Sequence, residues 1–175
     1  MSRILIVYST TDGHTRKISE KIKHVLEEDA NEVKVISINE ESEIDLNYFD
    51  KIILGASIRY GKHSRQVYDF IKKHYILLDK KPNAFFSVNL VSRKPEKCSP
   101  ETNPYLRKFL KHIPWAPRKI ALFAGKLDYG MYSCIDRLMI QLIMLITKGP
   151  TDPTTKVEFT DWSKVDSFGM DVSKM

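Results

Sequence analysis

The chain is poor in cysteine and has no long apolar run. Cys98 and Cys134 are its only cysteines, and they stand far apart in no CxxC or His/Cys cluster. That excludes a disulfide scaffold and predicts two free thiols and no metal site. No stretch approaches the roughly 20 apolar residues that a spanning helix requires. Arg3 is followed at once by Ile4–Val7, too short a run for a secretory leader, so neither a transmembrane helix nor a signal peptide is expected. No GxGxxG is present to mark a separate dinucleotide site, and no GxxxxGK[ST] to cradle a triphosphate. Paired carboxylates and a His/Asp dyad are also missing, so no catalytic residue is assigned. His14 and His63 read as structural or solvent-exposed. There is no internal repeat and no low-complexity tract.

What the sequence does contain is a regular alternation. Its 175 residues are one domain's worth, with 42% hydrophobic and 29% charged residues. Strand-like runs at Arg3–Tyr8, Val33–Ile38, Lys51–Ser57, Ala84–Val91 and Lys119–Ala124 are separated by segments of helical period. His14–Glu28 places Ile18, Ile22, Val25 and Leu26 on one stripe. Ser64–Leu78 does the same with Val67, Phe70, Ile71, Tyr75 and Leu78. Asn103 and Pro104 read as N-cap and first residue of another helix, with Leu106, Phe109, Leu110 and Ile113 inward. Strands joined through helices demand crossovers, hence a parallel sheet covered on both faces. The expected class is α/β, an open doubly wound five-stranded parallel sheet in a single domain spanning 1–175. One excursion interrupts it. Residues 125–155, including Ile135–Thr147, precede Lys156–Thr160, where strand character resumes, so the fifth strand looks split. A last helix is capped by Thr160 or Asp161, carries Trp162, Val165 and Phe168 inward, and has a doubtful end at Gly169.

Doubly wound sheets bind ligands beyond the carboxyl ends of their strands. Ser9-Thr10-Thr11-Asp12-Gly13-His14-Thr15 occupies that place after the first strand. Its hydroxyls can donate to phosphate oxygens, and Gly13 lets successive N–H groups converge at the positive end of a helix. A hydroxyl-rich loop without lysine suits a terminal monophosphate such as that of FMN. The same residues also make an ordinary polar turn in which Asp12 or Thr15 caps the helix. Ser57-Ile58-Arg59-Tyr60-Gly61 and Asn89-Leu90-Val91-Ser92-Arg93 follow the third and fourth strands at the same edge. Tyr60 could wall a flavin ring or simply pack on the surface. Peptide groups near Gly61 and Asn89 could serve the ring's polar edge.

Taken together these runs resemble a known family. Thr10-Thr11-Asp12-Gly13-His14-Thr15 is similar to the flavodoxin phosphate fingerprint [ST]-x-T-G-x-T, with Asp12 in place of the usual threonine. Gly55–Gly61, Ser87–Val91 with Arg93–Lys97, and Asp136-Arg137 with Met139-Ile140 resemble the flavodoxin-like, quinone-dependent protoporphyrinogen IX dehydrogenases of bacterial haem synthesis. The likeness runs from Ile4 to about Trp162. It implies one FMN, the flavodoxin strand order 2-1-3-4-5, and a peripheral position on the cytoplasmic side of the cell membrane. It also implies a reaction in which protoporphyrinogen IX loses six electrons in two-electron steps, passed on to menaquinone or ubiquinone. The chain departs from the family pattern early in the insertion, where Asp128, Gly130, Met131, Ser133 and Cys134 surround Tyr129 and Tyr132. Asp12 is expected to point away from the phosphate and serve the helix N-terminus.

Charge adds to this. The formal net charge is +6, yet residues 1–92 carry 14 Lys/Arg against 13 Asp/Glu, while residues 93–148 carry 11 against 4. Such an excess suits an anionic surface or a solvated face. Arg93, Lys94, Lys97 and Lys126 are candidates to pair with substrate carboxylates. Ile135–Thr147, apolar at nine of thirteen positions, could lie in a membrane interface or pack on its own domain. A flavodoxin-type electron carrier, an NAD(P)H:quinone reductase and a nucleic-acid module are the competing readings. The basic pI of about 9.2 counts against an acidic carrier, the missing GxGxxG against the reductase, and the lack of an aromatic platform against nucleic acid.

Overall fold

The alternation becomes a three-layer arrangement in the computed structural model, which describes Met1–Met175. Strand β1 is Arg3–Ser9, followed by helix α1, His14–Glu28, and strand β2, Glu32–Ser37. Strand β3, Lys51–Arg59, runs into the two-residue strand β4, Lys62–His63, and helix α2, Arg65–Lys80. Strand β5, Asn83–Asn89, helix α3, Pro104–Lys111, and strand β6, Lys119–Ala124, complete the main sheet. Its order is β2-β1-β3-β5-β6, all parallel, which over the five long strands is the flavodoxin order. Side-chain alternation sends Leu5 and Val7 of β1 to one face and Ile4 and Ile6 to the other. The first pair meets Phe70, Ile71, Phe109 and Trp115 beneath α2 and α3. The second meets Ile18, Ile22, Val165 and Phe168 beneath α1 and the C-terminal helix.

The excursion does not resume the fifth strand of the main sheet. Strand β7, Lys126–Asp128, pairs antiparallel with strand β8, Lys156–Glu158, as a separate ribbon with Leu127 opposite Val157. Strand β6 closes the main sheet, paired with β5 as far as Ala124 opposite Asn89, and the returning chain pairs with β7 beyond that point. Between β7 and β8 lies helix α4, Cys134–Ile146, its first turn held by the Ser133 hydroxyl accepting from the Asp136 N–H. Leu127, Tyr129, Tyr132, Ile140 and Met144 give the excursion a small core of its own.

Helix α5, Trp162–Ser173, starts at the Asp161 cap and runs through Gly169. That glycine faces α1, where a Cβ would come within 2.8 Å of Val25 Cγ1. It marks a close helix approach, and the helix whose end the sequence leaves doubtful at this glycine continues past it. Tyr75, expected inward, is 39% exposed.

Candidate functional site

A cavity, open on one side, lies at the carboxyl edge of the sheet. Its walls come from the loops after β1, β3 and β5 and from the excursion, so residues more than a hundred positions apart converge there.

The loop after β1 supplies Thr10, Thr11, Asp12, His14 and Thr15. Gly13 is the N-cap of α1 at φ 80°, a left-handed conformation that glycine adopts without strain. No side chain caps the helix and its first turn holds no acid, so its leading N–H groups have no intrahelical partner. The hydroxyls of Thr10 and Thr15 are buried without a hydrogen-bond partner. So is the Asn89 Nδ2 amide on the facing loop, whose Oδ1 already accepts from Ser92 N and Oγ at 2.9 Å. A buried polar group without a partner costs about 1–3 kcal/mol. Three of them line one cavity, beside an uncapped helix N-terminus. That donor set fits a phosphate monoester joined to a ring with acceptor atoms at its edge.

The β3–β4 hairpin supplies Ser57, Ile58, Arg59, Tyr60 and Gly61. Tyr60 at φ 52° and Gly61 at φ 77° form its tight turn. The hairpin is tied on two sides. Arg59 Nη2 donates to both Asp12 oxygens, at 2.6 and 2.8 Å, and the Tyr60 hydroxyl donates to Asp136 at the start of α4. Asp12 therefore serves Arg59 and not the helix N-terminus, because a cation within reach outweighs an N–H array that still admits a ligand. At the hairpin's base His63 is 2% exposed, its Nε2 is 2.9 Å from Ser87 Oγ, and burial pushes its pKa down to about 3.

Asn89, Leu90 and Val91 line the cavity. Five expected residues do not, Gly13 among them, which shapes the loop from behind as the N-cap of α1. Ser9 turns under the loop, its Oγ 3.0 Å from Ser64 Oγ. Arg93 reaches back to donate to the Leu90 carbonyl at 2.8 Å and to the Thr147 carbonyl and hydroxyl at 3.1 and 3.0 Å. It thus fastens the C-terminal end of α4 instead of meeting substrate, and burial lowers its pKa. Lys94 and Lys97 flank a short turn outside the cavity wall. Lys126 does line the cavity, with its ammonium 2.9 Å from Asp128 Oδ2. The hydrogen bond from Lys126 leads the effects that hold the Asp128 carboxyl below its usual range.

Sequence reading missed Val88, Tyr105, Gly125, Asp128, Met131, Tyr132, Ile140 and Ile143, which complete the lining. Only the excursion's proximity to the basic candidates pointed that way. Burial raises the Tyr132 hydroxyl's pKa and lowers that of His14, which is neutral at pH 7 and 2.6 Å from Thr160 Oγ1 through Nε2. The Thr160 hydroxyl donates onward to the Ala124 carbonyl, so it receives the proton of His14 Nε2.

Comparison with known proteins adds three findings. The family model described as "Flavodoxin domain" matches residues 5–154. The chain is 41% identical over 173 residues to "Protoporphyrinogen IX dehydrogenase [quinone]" of Escherichia coli strain K12, covering 99% of this chain and 96% of the relative. A protein of the same name from Leishmania major is 42% identical over 177 residues, covering 99% and 75%. Among solved structures, oxidised Flavodoxin 2 from Bacillus cereus superposes with a TM-score of 0.59 at 18% identity, covering 98% of each chain. A flavodoxin from the domain Archaea gives 0.55 at 16%, covering 98% and 96%. At those identities the structures share the fold.

Proposed function

The chain belongs to the flavodoxin-domain family, and on that premise we propose that it oxidises protoporphyrinogen IX to protoporphyrin IX, with FMN as cofactor and a membrane quinone, menaquinone or ubiquinone, as acceptor. The observation that carries this reading is the match to the relatives of that name along nearly the whole chain, excursion included.

Bound flavin would supply a two-electron acceptor at its ring. The residues present fit it. Thr10, Thr11, Thr15 and the leading N–H groups of α1 would hold the phosphate, and the free Asn89 amide would donate to the ring edge. Tyr60 and the aliphatic walls of Ile58, Val88 and Leu90 would exclude water from the reacting face. The protein's contribution is position and exclusion, which is what a cofactor-borne hydride transfer asks of it.

Helix α4 supports a peripheral location for the reaction. Its inner face holds Ile140 and Met144, while Ile135, Leu138, Leu142, Leu145 and Ile146 are 51–75% exposed on the outer face. No helix is long and apolar enough to cross a membrane. An apolar face with Arg137 and Lys148 beside it suits peripheral docking on the cytoplasmic leaflet, where a lipid-dissolved quinone would be at hand.

The test is anaerobic: purified FMN-loaded protein, protoporphyrinogen IX and a quinone, with no NAD(P)H. Appearance of protoporphyrin fluorescence in step with quinone reduction is the expected result. Untouched porphyrinogen, with quinone reduced only when NAD(P)H is added, would move the chain to the reductases. Transfer to a protein redox partner alone would make it a carrier.

A further inference from the structure

Two permanent cations line the cavity, and they are not equivalent. Both are paired with a carboxylate: Lys126 holds Asp128 through its single nitrogen, and Lys156 also approaches that carboxylate at 3.6 Å. Arg59 commits only Nη2, to Asp12, and its Nε and Nη1 have no protein partner. The Arg59 side chain is 20% exposed. Its guanidinium carbon lies 5.2 Å from the centre of the Tyr132 ring, a face that fixes the plane of the cation. A half-desolvated guanidinium with idle donors is poised for an anion.

Which anion follows from what surrounds it. The phosphate loop has its own neutral donors in Thr10 and Thr15, and no lysine. Asp12, the one carboxylate of that loop, takes Nη2, which leaves Nε and Nη1 as the donors an incoming anion would meet. The remaining donors belong to a residue on the opposing hairpin, next to the aromatic wall of Tyr60 and Tyr132. A macrocycle of pyrrole rings with two carboxylates along one edge matches that combination of aromatic wall and fork.

We propose that Arg59 is the specificity-determining residue that receives a substrate propionate, with Asp12 and Tyr132 holding its guanidinium in place. This rests on the proposed porphyrinogen reaction and names the group that reads its substrate. The role passes from Arg93, Lys94 and Lys97, none of which lines the cavity, to a residue expected at the cofactor.

The test separates this site from the reaction. Mesoporphyrin IX, an oxidised dicarboxylate that is not turned over, and its dimethyl ester are titrated into the FMN-loaded protein, binding being read from flavin fluorescence. The wild type should prefer the diacid by about tenfold or more, one charge-assisted contact's worth. Arg59→Gln should erase that preference and leave the ester's affinity unchanged, and Arg59→Lys should restore part of it. In turnover, Arg59→Gln should raise KM for protoporphyrinogen by about tenfold with kcat little changed, as for a group that binds ground and transition states alike. A preference that survives Arg59→Gln overturns the assignment, as does loss of FMN from that variant, which would make Arg59 a cofactor residue. Arg59-dependent diacid binding without porphyrinogen oxidation in the wild type would retain this site and sink the reaction. Oxidation with an unchanged KM in Arg59→Gln would do the reverse.

Discussion

Thr15 concentrates the conflict that the cavity poses at the level of one side chain. It is fully buried in the first turn of α1, and its hydroxyl has no partner. Such a group weakens the empty protein and strengthens the loaded one, so one substitution should move the two states in opposite directions. Thr15→Val keeps the shape and removes the hydroxyl. The flavin-free protein should gain up to about 1 kcal/mol in urea denaturation, because an unsatisfied polar group has been replaced by methyl. FMN should bind about tenfold more weakly, as expected for losing one hydrogen bond to a charged oxygen. Riboflavin, which lacks the phosphate, should bind the variant and the wild type equally; a matching loss for riboflavin would show that Thr15 supports the ring and not the phosphate.

The β3–β4 hairpin is the element on which the site turns, and its base is a histidine with an acid-sensitive environment. His63 packs against Phe109 with ring centroids 4.4 Å apart, and burial takes its pKa from 6.5 to about 3. Below pH 6.5 the unfolded chain takes up this proton and the native one does not, so stability falls as pH drops towards 3. The slope for one such group is about 1.4 kcal/mol per pH unit. Urea midpoints at pH 7 and pH 4.5 should therefore lie closer together in His63→Phe than in the wild type, and equal spacing in both would mean that His63 is protonated inside the native fold. His14 titrates in the same direction and leaves a residual slope. This hairpin also marks where sequence reading stopped. Helix α1 was legible to its last residue because a 15-residue amphipathic period admits one register. β4, β7 and β8 are two or three residues long and carry no period. The pair Asp12–Arg59 joins positions 47 apart, and only the parallel pairing of β1 with β3 brings them together. Gly169 left the end of α5 doubtful for the opposite reason: a close helix contact and a helix end both select glycine, and sequence alone cannot separate them.

At the scale of the molecule, the uneven charge and the apolar outer face of α4 fall in the same stretch of chain. Residues 93–148 hold the excess of Lys and Arg, and α4 lies near its end. Two forces would then act on a docked protein, and they respond differently to solvent. Long-range attraction between the basic segment and anionic headgroups is screened within a Debye length of about 8 Å at physiological salt. Burial of the apolar side chains in the interface is not. Sedimentation with vesicles should show tighter binding to anionic than to zwitterionic lipid, with the difference fading as salt rises and a salt-insensitive remainder persisting. Leu138 and Leu142 are 69% and 51% exposed and one turn apart, so replacing both with Asp should spare the fold and the flavin. Losing two leucines from the interface, each worth about 1.5–3 kcal/mol when fully buried, should cut vesicle partitioning by about 100-fold or more on either lipid. If the double variant partitions like the wild type, α4 does not face lipid. If it partitions weakly yet reduces a water-soluble quinone at the wild-type rate, the helix serves delivery from the bilayer and the cavity's chemistry is independent of it.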